Sequence, residues 1–118
     1  MPDATADYGE GLVFQGRDAI GAFMRDSLGP RMITFHQCHH PEITVADDAA
    51  TGRWYLEDKV LRPEHRMVLE GAAFYDDRYV CTTDGWRISH TGYRRTFEVT
   101  MSMDDLPGYK LTIGDAYA

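Results

Sequence analysis

The sequence predicts an α+β domain in which one helix precedes a curved antiparallel sheet of about four long strands. Three observations carry this. Ile20, Phe23, Met24 and Leu28 fall on one face at helical spacing. From Met32 onward the chain reads as extended runs separated by turn signals. No internal repeat or low-complexity segment interrupts the order of helix first and strands after, which is that of an α+β layer architecture. At 118 residues the chain is read as one domain, 1–118.

The elements follow in order. Met1 to Gly11 is polar, punctuated by Pro2, Gly9 and Gly11, and reads as loop, with a short strand at Leu12 to Phe14. The helix spans Arg17 to Leu28; Asp18 suits its positive N-terminal end and Gly29-Pro30 stops it. The long strands are Met32 to Val45, Ala50 to Val60, Met67 to Val80 and Trp86 to Val99. Between them stand a turn at Ala46-Asp47-Asp48, a connection at Arg62 to His65 and a turn at Thr82 to Gly85. The tail from Ser102 is read as irregular, with a short strand at Lys110 to Ile113. One helix of about three turns is too little to cover the inner face of such a sheet, so the cover is expected either from a part missing from this chain or from another copy of it, and a homo-oligomer follows from the exposed apolar area.

Composition narrows the function. A net charge of −7 repels phosphate backbones and anionic lipid, which excludes nucleic-acid and membrane-surface partners. No apolar run approaches the length of a membrane span, and Pro2, Asp3 and Asp7 stand where a signal peptide would be basic and then apolar. A cytoplasmic location is expected by default, with Cys38 and Cys81 as free thiols. No Walker, GxGxxG or CxxC pattern occurs, so no nucleotide cofactor is implied.

The densest chemical cluster is His36, Cys38, His39 and His40. Alternation puts His36, Cys38 and His40 on one face, but His36 and His40 would lie roughly 13 Å apart along a strand. Zinc ligands sit about 2 Å from the metal, so no metal site is expected. Register offers more. A three-residue turn at Ala46-Asp47-Asp48 sets His36 opposite Asp58, where an imidazole and a carboxylate are within reach of each other. A carboxylate that holds one ring nitrogen makes the other a better base. Pro41 threatens this register, because a bulge there turns the faces over. In the second hairpin a turn centred on Thr83 sets Arg95 opposite Gly71, which leaves room for a guanidinium across the sheet, with a bulge near Gly92. Tyr75, Tyr79 and Tyr93 read as strand residues that pack with the hydroxyl at the rim.

The run from His36 to Thr44, the run Ala50-Thr51-Gly52-Arg53-Trp54-Tyr55-Leu56-Glu57-Asp58, the stretch Gly71 to Tyr75 with Tyr79, and the run Thr91 to Glu98 resemble the bile acid 7α-dehydratase group of the SnoaL-like, nuclear-transport-factor-2-like superfamily. The resemblance covers roughly Tyr8 to Glu98 and implies a cone-shaped, cystatin-like sheet. It puts a histidine, an aspartate and an arginine of the family's pocket at His36, Asp58 and Arg95. The family's two preceding helices, which bring a tyrosine and an aspartate, have no counterpart here. The expectation is either an internal start within a longer gene product or a naturally shortened domain.

The implied activity is cofactor-independent loss of water from a hydroxylated 3-oxo-steroid or a similar apolar polycyclic substrate. His36 is then base or acid, Asp58 its orienting partner, and Arg95 an electrostatic contact to substrate or carboxylate. Trp54, Leu56, Phe74 and Tyr93 are candidate pocket walls. The resemblance also implies a homo-oligomer, a trimer. The competing readings are a non-catalytic ligand-binding or oligomerisation module of this fold, and proton transfer of the ketosteroid isomerase kind.

Overall fold

The computed structural model describes residues 1–29 and 31–115. Its strands are β1 (Thr5–Asp7), β2 (Val13–Gln15), β3 (Ile33–Ala46), β4 (Ala49–Arg62), β5 (Met67–Thr82) and β6 (Gly85–Ser102), with one helix, α1 (Arg17–Ser27). They form a single sheet in the order β2-β1-β6-β5-β4-β3. The four long strands make an antiparallel meander, and β1 joins β6 in parallel. This is the α+β, cystatin-like architecture, completed by two short strands. No described helix is long and apolar enough to cross a membrane.

The N-terminal segment differs from the loop expected of it. Thr5–Asp7 pairs with β2 on one side and β6 on the other, and Ala4, Ala6 and Tyr8 are buried. Nothing local marks it as a strand. Its backbone is held by two neighbours, and its small alanines let it lie close under the helix. The segment also starts that helix. Gly16 supplies no side-chain cap, and the Gly16 and Arg17 amides donate instead to Ala4 and Pro2 carbonyls at 2.8 and 2.9 Å. At the other end the Leu28 amide caps back to Met24, while Pro30, the expected stop, lies outside the described residues. Lys110 to Ile113, expected as a strand, takes no regular structure.

Two register features decide which side chains meet. The first hairpin turns on two residues, not three, because Ala46 pairs with Ala49 and Asp47 takes a left-handed φ of 53°. That alone would place His36 one position out. Between Cys38 and Pro41, however, the register slips, and beyond the slip His36 stands opposite Asp58. The second hairpin also has a two-residue turn, and it slips twice, at Arg78/Tyr79 and at Ala72/Ala73. Arg95 therefore pairs with Ala73 rather than Gly71, and the slips flank Gly92 instead of falling on it.

The helix lies on the face carrying His36, Leu56, Asp58 and Tyr75, which is the inner face. A radius of gyration of 16.8 Å exceeds the roughly 13–14 Å of a compact domain of this length, because the long hairpins overhang the helix. No large side chain among the described residues is completely buried, as a sheet with so small a cover requires.

Candidate functional site

A cavity of about 340 Å³ opens between α1 and the inner face of the sheet. Phe23, Met24 and Leu28 form its helical wall, and Leu56, Val60 and Leu69 its apolar floor. At one side Tyr8, Tyr75 and Tyr93 meet ring to ring, with centroids 5.5 Å apart for Tyr8–Tyr93 and 5.9 Å for Tyr75–Tyr93. The polar groups at its centre are His36, Asp58 and Arg95.

Asp58 is the most deeply placed of these, its side chain 2% exposed. Both its oxygens accept from Arg95: Nη1 donates to Oδ1 at 2.5 Å and Nη2 to Oδ2 at 2.8 Å. The guanidinium reaches the carboxylate across Gly71. A Cβ there would stand 2.6 Å from Arg95 Nη1 and 2.9 Å from the Phe97 carbonyl. Arg95 also pairs through Nε with Glu98 at 3.3 Å, and its guanidinium carbon lies 5.5 Å from the centre of the Tyr93 ring. Hydrogen bonding to Asp58 raises the guanidinium pKa against the opposing effect of burial. This is a closed bidentate pair, its charges satisfied internally.

His36 stands beside that pair without joining it. Its Nε2 is 4.0 Å from Asp58 Oδ2, too far for a hydrogen bond, and its side chain is 38% exposed toward the cavity. The structure thus brings His36, Asp58 and Arg95 together, yet Asp58 does not hold the imidazole, and both amino groups of Arg95 are spent on Asp58.

The four candidate walls divide evenly. Leu56 and Tyr93 line the cavity. Phe74 does not: Tyr75 faces inward, so alternation turns Phe74 to the outer face, where it packs on Tyr55 at 4.8 Å beneath Arg53. Trp54 shares the inner face but lies nearer the β3–β4 turn. There its indole donates to the Tyr79 hydroxyl at 2.8 Å, and that hydroxyl donates to Asp77 at 2.8 Å. Two lining tyrosines carry no signal of it in the sequence: Tyr8 lies in a segment without strand pattern, and Tyr75 reads as a packing residue of its strand. The helical face carrying Phe23, Met24 and Leu28 was legible from its spacing.

The histidine cluster is broken up by the bulge. His39 and His40 both leave the inner face: His39 meets Glu57 at 2.9 Å, and His40 shares an outer depression with Tyr55 and Phe74. His40 is therefore not on the face of His36, as strict alternation had required. No group of three or more metal-binding side chains converges among the described residues. Cys38 and Cys81 are free thiols.

A family profile for the SnoaL-like domain matches residues 1–92. The chain belongs to that family. Solved structures share its fold. A protein from Kribbella flavida, Kfla4162, is 24% identical over 84% of this chain and 73% of its own, with a TM-score of 0.73. A candidate scytalone dehydratase from Novosphingobium aromaticivorans is 20% identical over 84% of this chain and 67% of its own, with a TM-score of 0.75. The hexachlorocyclohexane dehydrochlorinase LinA-type3 from Novosphingobium barchaimii is 18% identical over 97% of this chain and 76% of its own, with a TM-score of 0.77. At these identities the likeness is one of fold, and this SnoaL-like chain has to be read from its own cavity.

Proposed function

We propose that this SnoaL-like chain is a cofactor-independent lyase that removes water from a hydroxylated cyclic ketone, with His36 moving the proton. The observation that carries this is the position of His36, an imidazole open to a cavity walled by apolar and tyrosine side chains, beside a locked Asp58–Arg95 pair. Imidazole is the side chain best suited to take and return a proton near neutral pH. In the reaction His36 takes a proton from a carbon that the carbonyl acidifies, directly or through a conjugated double bond, and the freed electron pair forms the new double bond as the neighbouring carbon–oxygen bond breaks. The protonated His36 returns that proton to the departing hydroxyl, which leaves as water. The names of two fold neighbours, a scytalone dehydratase candidate and a dehydrochlorinase, both describe eliminations. The finer proposal for the substrate, from the bile acid 7α-dehydratase resemblance, is a hydroxylated 3-oxo-steroid.

Proton transfer by Asp58 in the ketosteroid isomerase manner is disfavoured, because both oxygens already accept from Arg95. A non-catalytic binding module keeps one observation in its favour: no described group hydrogen-bonds His36 and fixes its ring. Turnover of a 7-hydroxy-3-oxo-4-ene steroid by the wild type and by His36→Gln separates the two. Loss of about 10²–10⁴-fold in kcat with binding retained supports the lyase. Steroid binding without His36-dependent turnover leaves the binding module.

A further inference from the structure

Arg62 and Arg95 are the half-buried arginines among the described residues, and their surroundings differ. Arg95 is paired with Asp58 and Glu98. Arg62 ends β4, two residues past Val60 and so on the same inner face, beyond the cavity floor. No ion pair or side-chain hydrogen bond among the described residues involves it, and its Nε is shut off from solvent without a partner. Buried donors are satisfied as a rule, and a guanidinium cannot escape the cost by losing its proton.

The guanidinium borders a small cavity of its own. Gly29, Arg31, Met32, Arg62, Glu64 and His65 line it, where the end of α1 leads into β3 and the β4–β5 connection passes. It shares no lining residue with the cavity of His36. Its volume, about 120 Å³, is that of roughly four waters at about 30 Å³ each. This holds a tetrahedral oxyanion of five heavy atoms and is too small for a ligand of the usual size, about 300 Å³ and above. The lining is also cationic in an acidic chain. Glu64 is its single carboxylate and meets Arg31 Nη1 at 3.3 Å, so Arg62 is left as an excess positive charge, with the His65 imidazole beside it. A net charge of −7 opposes any anion at long range, so binding needs such a local gathering of donors. The planar fork of an arginine matches two oxygens of a phosphate.

We propose that this second cavity is a binding site for a phosphate group. The Arg62 guanidinium is its central donor, Arg31 and His65 flank it, and Glu64 limits its affinity. The group is either free phosphate or the phosphate end of a larger molecule.

A ¹H–¹⁵N NMR titration of the whole chain with inorganic phosphate, at ionic strength held constant with sodium chloride, tests this without turnover. The Gly29, Arg31, Met32 and His65 amides shift together, with a Kd on the order of 1 mM, the scale set by a few charge-assisted hydrogen bonds. Arg62→Met weakens binding at least about tenfold, and Arg62→Lys, which keeps the charge without the fork, at least about threefold. Glu64→Gln removes the repelling carboxylate and strengthens binding about twofold to fivefold. Glu64 and Arg31 are 51% and 77% exposed, so if Arg62→Met does not fold, Glu64→Gln and Arg31→Gln still test the site, the first by stronger and the second by weaker binding. Phenyl phosphate binding as tightly as inorganic phosphate identifies the end of a larger molecule; binding of inorganic phosphate alone identifies the free ion. Shifts that sodium chloride reproduces, an affinity unchanged in both Arg62 variants, or weaker binding by Glu64→Gln overturn the proposal. None of these residues lines the cavity of His36, so the outcome does not depend on the lyase reading.

Discussion

Replacing Arg95 with methionine tests the centre of the site most directly. The change keeps an apolar stem of similar length and removes both hydrogen bonds to a carboxylate that is 2% exposed. Breaking one partner of a buried pair costs about 3–5 kcal/mol, because the remaining charge is left uncompensated. Arg95 is 27% exposed and His36 38%, so water reaches part of the site and the lower figure, about 3 kcal/mol, applies here. A domain of 118 residues has a total stability of roughly 5–15 kcal/mol, so this is a large share of it. With a urea m-value of about 2 kcal/mol/M the unfolding midpoint falls by about 1.5 M at unchanged slope. The double variant Asp58→Leu/Arg95→Met replaces both charges with apolar groups and is less destabilised than Arg95→Met alone. A midpoint shift below about 0.3 M, or a double variant as unstable as the two single changes added together, would refute the description of a closed, buried pair.

Gly71→Ala places a methyl group 2.9 Å from the Phe97 carbonyl, which cannot rotate away, so about 1–3 kcal/mol of stability is lost together with the Arg95–Asp58 contact; urea unfolding and turnover report it. Burial raises the Tyr75 and Tyr79 phenols to about 12, whereas an unfolded tyrosine titrates near 10. Their contribution to stability is therefore complete below about pH 10 and is lost as pH rises from there through about 12, so unfolding midpoints fall across that window, and Tyr75→Phe flattens the fall. On the outer face Phe35, Tyr55, Phe97 and Val99 stand about half exposed, while Lys59–Glu70 and Arg53–Asp76 pair within the sheet at 2.6 and 3.0 Å. We propose that copies of the chain meet on this outer face rather than on the inner one, where the sequence led a further copy to be expected; light scattering is expected to give a multiple of 13.4 kDa, and Phe35→Glu/Phe97→Glu a monomer.

The long elements were legible because each carries its own signal. Helical spacing marks α1, and turn residues mark the ends of the four long strands. Thr5–Asp7 was not legible, since its partners on β2 and β6 are supplied by tertiary structure and, of its three residues, only Thr5 favours a strand while Ala6 and Asp7 disfavour one. Among the wall residues, alternation alone does not fix which of Phe74 and Tyr75 faces in. Once Tyr75 is inward, Phe74 is outward.

The two central contacts form although both hairpins turn on two residues and slip in register along their length. A three-residue first turn placed His36 opposite Asp58; the actual turn has two residues, and the His39-His40 bulge restores the position that the shorter turn removes. A short apolar or imidazole side chain reaches only its cross-strand partner, so without that bulge His36 would face away from the cavity. Arg95 obeys a looser rule. Its backbone sits opposite Ala73, beyond the position expected, yet the guanidinium still reaches Asp58, because the side chain is long and Gly71 leaves the path open. The arginine–aspartate pair therefore tolerates an error in strand register, whereas the placement of His36 depends on a bulge that no single turn motif announces.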